Sequence, residues 1–99
     1  MYGSIRRYRI RSGNVNEIVE SVKAGLVPLL EKMPGFVAYY IINAETNRAT
    51  SFTIGESREA VNEMNKTALK WVQESLPDRL SEPEVIQGPL PVALMHQHA

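Results

Sequence analysis

Segments of contrasting character follow one another in the order β-α-β-β-α-β. That order predicts an α+β, ferredoxin-like fold: one four-stranded antiparallel sheet with both helices on one face. A second observation refines it. Phe36–Ala44 is apolar at both parities, so both faces of this strand need cover. The helices cover one face, and a second copy of the chain packed sheet to sheet covers the other, giving a homodimer of the dimeric α+β barrel kind. The 99 residues, 43% hydrophobic, suffice for a single domain over 1–99.

Each element has its own signal. Tyr2–Ile10 is partly β-branched and aromatic and stops at Ser12-Gly13, a strand closed by a turn. Asn14 followed by Glu17 is a capping-box-like start, and Val15, Ile18, Val19, Val22, Leu26, Leu29, Leu30 and Met33 recur at helical spacing, so the first helix spans about Val15 to Lys32. Pro28 has no N–H for the carbonyl of residue 24, which predicts a kink or break near Leu26, and Pro34-Gly35 ends the helix. Glu45-Thr46-Asn47 reads as the turn between Phe36–Ala44 and a strand at Arg48–Ile54. Ser57 is an N-cap for the second helix, whose apolar stripe holds Val61, Met64, Ala68, Trp71, Val72 and Leu76. Glu84–Gln87 and then Leu90–Met95 form a last strand, interrupted at Gly88-Pro89 and Pro91, suited to an edge or an arm.

Eleven basic and eleven acidic residues give a formal net charge of zero, which argues against a general binder of nucleic acid or of a membrane surface. The sum hides an asymmetry. Residues 1–13 hold Arg6, Arg7, Arg9 and Arg11 and no acid, so the rest of the chain is correspondingly acidic. Without cysteine there is no disulfide, thiolate nucleophile or cysteine-ligated metal. No apolar run is long enough for a membrane span, and residues 1–11 lack the order of a secretion signal, so a cytoplasmic protein is expected.

Familiar catalytic motifs are absent: there is no GxGxxG, P-loop, HExxH or GxSxG. His96 and His98 sit in the terminal residues, where a frayed end explains them better than metal ligation, and no metal is expected. What remains is polarity at apolar positions. Asn65 falls between Val61, Ala68 and Val72 on the second helix; it either satisfies a local backbone group or points into a pocket between helices and sheet. On the first strand, Tyr2, Ser4, Arg6, Tyr8 and Ile10 share the more apolar parity, which places Arg6 inward as a cation needing an acid, a carbonyl or a ligand oxygen. Arg7 and Arg9 then face the partner. Trp71 and Met64 are core or pocket wall, and Tyr39 and Tyr40 point to opposite faces, one to the pocket and one to the dimer seam.

Ile-Arg-Arg-Tyr-Arg-Ile (5–10), Leu-Val-Pro-Leu-Leu (26–30), Met-Pro-Gly-Phe-Val-Ala-Tyr-Tyr (33–40) and Asn-Lys-Thr-Ala-Leu-Lys-Trp-Val (65–72) resemble the antibiotic biosynthesis monooxygenase type of dimeric α+β barrel, over nearly the whole chain. Within it, the sequence is most similar to bacterial members without an assigned function. The resemblance implies a homodimer with a pocket between helices and sheet in each subunit. In characterised members that pocket serves cofactor-free oxygenation of electron-rich polycyclic phenols or quinols, or, in another branch, haem degradation. The haem-degrading branch uses an Asn on the first strand with a Trp and a His on the second helix; here Arg6 and Met64 take the first two places and the helix has no His. Gly55 stands where many relatives carry an aromatic residue.

The expected function is therefore binding of a flat hydrophobic or aromatic ligand, with oxygenation that needs no cofactor. Arg6 would stabilise a developing oxyanion, Asn65 and Tyr39 would orient it, and Tyr8, Met64 and Trp71 would form dry walls. The alternative is a non-catalytic ligand-binding or structural homodimer in which Arg6 and Asn65 satisfy each other or the backbone. Both readings share the dimer. Sedimentation equilibrium at micromolar concentration should give about twice the chain's 11.1 kDa, and a mass of one chain would contradict the two-faced reading of Phe36–Ala44.

Overall fold

The computed structural model describes residues 1–43 and 47–94. The order is β1 (Tyr2–Arg9), α1 (Val15–Ser21), a π-helical turn (Val22–Leu26), α2 (Val27–Glu31), β2 (Phe36–Asn43), β3 (Arg48–Gly55), α3 (Arg58–Ser75) and β4 (Glu84–Pro89). All strand pairs are antiparallel in the spatial order β2-β3-β1-β4, the ferredoxin-like arrangement with the helices on one face.

The expected capping-box-like start is present, with the return bond made by the Asn14 side chain instead of its backbone N–H. Asn14 Oδ1 accepts from the Glu17 N–H at 3.0 Å, and Asn14 Nδ2 donates to Glu17 Oε1 at 3.3 Å. Ser57 Oγ accepts from the Ala60 N–H at 3.1 Å and starts α3 in the same way. The disturbance expected at Leu26 takes a definite form. Instead of breaking, the helix widens by one residue, with the Val27 N–H donating to the Val22 carbonyl, and continues into α2 through Pro28. Gly25 lies in this turn because α3 crosses there: a Cβ on Gly25 would stand 2.6 Å from Trp71 Nε1. Gly35, at φ +79°, makes the turn into β2.

A bulge reshapes β2. Phe36 pairs with Gly55 and Ala38 with Ile54, so Val37 is the extra residue. Phe36 and Tyr39, three apart, could not share a face of a regular strand, yet both pack against the core. Part of the two-parity apolarity of this segment is thus the signature of the bulge. The remainder faces outward, where Tyr40 is 54% and Ile42 59% exposed. On β3 the small and polar residues Ala49, Ser51, Thr53 and Gly55 face the helices, leaving Phe52 and Ile54 on the outer surface.

The last strand corrects the sequence reading at one point. β4 runs unbroken through Gly88 and Pro89, and Leu90 to Leu94 form no strand. As an edge strand β4 pairs only with β1, so a residue without an N–H is tolerated there. The Glu45-Thr46 turn, Ala44, Met95 and both histidines lie outside the described residues.

The Gly25–Trp71 contact gives a packing test. Gly25→Ala should lose about 1 kcal/mol in urea unfolding, the overpacking cost exceeding the gain in helix propensity. In a Trp71→Leu background the same change should be neutral or stabilising. An unchanged midpoint for Gly25→Ala alone would contradict the close helix crossing.

Candidate functional site

The inward parity of β1 is the expected one. Ser4, Arg6, Tyr8 and Ile10 are buried, Arg6 being only 3% exposed, while Arg7 and Arg9 face solvent on the other side. The register sets the neighbours: Arg6 lies opposite Ser51 on β3, Ser51 opposite Ile41 on β2, and Tyr8 opposite Ala49. Because Ala49 and Ser51 are small, the sheet leaves a hollow above β3. Arg6, Tyr8, Ser51 and Tyr39 supply its polar lining, and Ile18, Val22, Leu26, Ile41, Val72 and Leu80 close it with apolar surface. The hollow is small, about 30 Å³, space for ordered water, and is partly open to solvent.

Among the described residues Arg6 has no carboxylate partner. Its single hydrogen bond runs from Nη1 to the backbone carbonyl of Asn65 at 3.4 Å, while its Nε has no acceptor. The guanidinium carbon stands 5.9 Å from the Tyr8 ring centre, at the outer limit of a cation–π contact. The Tyr8 hydroxyl is also without a partner, and Ser51 Oγ approaches the Tyr39 hydroxyl without reaching hydrogen-bond geometry. A positive charge and unsatisfied hydroxyls therefore converge on one small, largely apolar void.

Burial pushes the Tyr8 hydroxyl pKa above its ordinary value, opposed by the positive charge of Arg6 and reinforced by Tyr39. Burial likewise raises Tyr39, opposed first by the positive charge of Arg6 and then by the donor groups that Ser51 and Arg6 bring close to its hydroxyl. Both phenols are therefore neutral proton donors at physiological pH, and neither offsets the charge of Arg6.

The other expected residues lie elsewhere. Asn65 meets Arg6 through its backbone carbonyl, while its side-chain Nδ2 donates to Ser4 Oγ and to Gln87 Oε1, both at 3.1 Å. Gln87 Nε2 in turn donates to Asn62 Oδ1 at 3.3 Å, so the Asn65 amide ties α3 to β1 and β4. Met64 is buried in the core, and Trp71 lies across Gly25 between the helices; neither lines the hollow. Ser51 escaped the sequence reading. Its signal was the parity of β3, where the large apolar residues alternate with small polar ones, so that a dimer face requires the polar set to face inward. Among the described residues no cluster of histidine and acidic side chains could hold a metal ion.

No protein-family model matches the chain, and no curated protein matches it by sequence. Solved structures match it by fold. The NE2512 protein of unknown function from Nitrosomonas europaea has a TM-score of 0.76 at 13% identity, covering 98% of this chain and 95% of that one. SnoaB, a cofactor-independent oxygenase from Streptomyces nogalater, has 0.69 at 15% identity, covering 96% and 97%. The ActVA-Orf6 monooxygenase of Streptomyces coelicolor, in complex with nanaomycin D, has 0.72 at 15% identity, covering 97% and 92%. The chain therefore shares the ferredoxin-like α+β fold of these structures. Within this fold, the glycine at the end of β3 has a packing reason: a Cβ on Gly55 would stand 2.8 Å from Val61 Cγ2 and 3.2 Å from the Gly35 carbonyl oxygen. An aromatic side chain there would force β3 away from α3.

The raised tyrosines make a pH test. Above the ordinary tyrosine value of 10.0 the unfolded chain sheds these protons first, so the folded state loses stability as pH rises toward the native values. Urea unfolding between about pH 8 and 11 should show this loss, less steeply in Tyr8→Phe and Tyr39→Phe. Slopes identical to that of the parent would contradict the buried, neutral phenols.

Proposed function

We propose that the hollow between helices and sheet binds a flat, hydrophobic or aromatic molecule bearing an acidic hydroxyl, and that it promotes oxygenation of that molecule by dioxygen without metal or flavin. The observation that carries the reading is Arg6: a guanidinium 3% exposed, without a carboxylate partner among the described residues, with Nε lacking an acceptor. Burying an uncompensated charge costs several kcal/mol, and an ionised ligand oxygen removes that cost. The apolar walls suit the ring system, and the neutral Tyr8 and Tyr39 hydroxyls supply further donors to the same oxygen.

In the proposed reaction a substrate methylene flanked by aromatic rings loses a proton to water in the cavity, and Arg6 stabilises the resulting enolate. The carbanion carbon gives its electrons to dioxygen. One oxygen atom stays as a new carbonyl, while the other leaves with the two methylene hydrogens as water, so the substrate is oxidised and dioxygen reduced. Catalysis then consists in making the anion cheaper to form. The likeness to SnoaB and to the ActVA-Orf6 monooxygenase supports this reading.

Pairing of two copies through the outer sheet face belongs to the same proposal, supported by Tyr40, Ile42 and Ile86, 54%, 59% and 63% exposed on one surface with Phe52 and Ile54. A cytoplasmic setting belongs to it as well. Among the described residues no helix is long and apolar enough to cross a membrane.

A second reading, a non-catalytic ligand-binding or structural homodimer, is favoured by the small cavity and by the Asn65 amide, which is engaged with Ser4 and Gln87. On either reading a polycyclic ligand needs the α1–α2 layer to lift off the sheet. Oxygen uptake with a panel of anthrones and quinols separates the two. The expected result is turnover above a no-protein control, reduced about 100-fold or more in Arg6→Met. Saturable binding of the same compounds without oxygen uptake would establish the second reading and overturn the first.

A further inference from the structure

Beside the hollow, separated from it by Tyr8, lies a second recess of about 280 Å³ on the same sheet, formed where β1, β3 and the approach to β4 meet. Arg7, Arg9, Arg11 and Arg48 line it, with Glu82 and Glu84. Arg9 and Arg48 occupy directly opposed positions of the β1–β3 ladder. Like charges placed so are destabilising, and cross-strand pairs are otherwise a main source of sheet stability. Glu84 stands opposite Arg7 in the β1–β4 ladder, yet among the described residues none of the four guanidinium groups is within ion-pair distance of a carboxylate. Among the described residues, four cations against two carboxylates leave an excess of two positive charges.

We propose that this recess binds a small doubly charged oxyanion, with a phosphate group as the chemistry that fits. A phosphate dianion matches this excess charge. Its oxygens accept paired hydrogen bonds from planar guanidinium forks, which explains four arginines where lysine would supply the same charge. Bound between Arg9 and Arg48, it turns the repulsive pair into two attractive contacts. The recess shares Tyr8 with the hollow and opens on the outward parity of β1, the face on which a second copy is proposed to pack. Apart from that shared wall, its four arginines are outside the set that carries the oxygenation reading.

The test is a titration of the full chain at constant ionic strength, followed by backbone amide shifts and by thermal melting, with inorganic phosphate and phenyl phosphate as probes and chloride as control. Saturable shifts centred on Arg9 and Arg48 are expected with phosphate and not with chloride, with affinity falling at least about tenfold in Arg48→Gln. Without phosphate, Arg48→Gln should melt no lower than the parent, since it removes a repulsion. With phosphate the parent should overtake it. Tighter binding of phenyl phosphate than of inorganic phosphate assigns the site to a phosphate monoester, and equal binding assigns it to the free ion. Shifts equal in chloride, or unchanged in Arg9→Gln and Arg48→Gln, would overturn the proposal. So would an anion-insensitive parent whose dimer dissociates on Arg48→Gln, because the recess would then belong to the interface between two copies.

Discussion

A guanidinium held inside a small α+β domain, with a 3.4 Å hydrogen bond to a backbone carbonyl, two phenols beside it and no carboxylate partner among the described residues, is the condition around which the rest of this structure is arranged. Arg6 cannot move outward without reversing the parity of β1, because a one-residue slip would carry Tyr8 and Ile10 out of the core and bring Arg7 and Arg9 in. The charge is therefore fixed in place by its strand neighbours. Its surroundings do not neutralise it: the two nearest titratable side chains are phenols that burial keeps protonated. Ser51 and Ala49 are short enough to leave space above them, and the α1–α2 layer roofs that space with aliphatic side chains.

The same strand pattern shapes the other face of the sheet. By giving its small residues to the hollow, β3 gives Phe52 and Ile54 to the outside, where they join Tyr40 and Ile42 of β2. The cavity and the apolar outer face are consequences of one choice of parity. The helix layer carries a comparable compromise. Between α1 and α2 a π turn and a glycine admit Trp71, so the roof is held by a helix crossing beside the hollow rather than by side chains filling it.

Much of this was readable from the chain because it rests on periodicity. Element order, both N-caps, the disturbance before Pro28, the inward position of Arg6 and the opposed directions of Tyr39 and Tyr40 follow from spacings of two or about 3.6 residues. What escaped the reading depends on register or on a single-residue irregularity. The bulge at Val37 changes which residues of β2 share a face, and nothing in Phe36-Val37-Ala38 marks it. Ser51 enters the site only because it stands opposite Arg6, a fact of pairing rather than of local sequence. Asn65 was placed on the correct side of α3, but its amide reaches across to Gln87 on an edge strand whose register the sequence does not state. Trp71 and Met64 lie on the stripe as expected, and only the helix crossing determines that they pack beside the hollow without lining it.

The central claim is that Arg6 is held unpaired in order to receive an ionised oxygen, and the ionisation of a bound ligand reads this directly. A fluorescent naphthol or hydroxyanthracene titrated by absorbance, free and in the presence of excess protein, reports its own pKa in the site. The account predicts that binding lowers that pKa in the parent, because the anion gains Arg6, and that Arg6→Met abolishes or reverses the shift, because burial alone favours the neutral phenol. A bound probe whose pKa is unchanged or raised in the parent would contradict it.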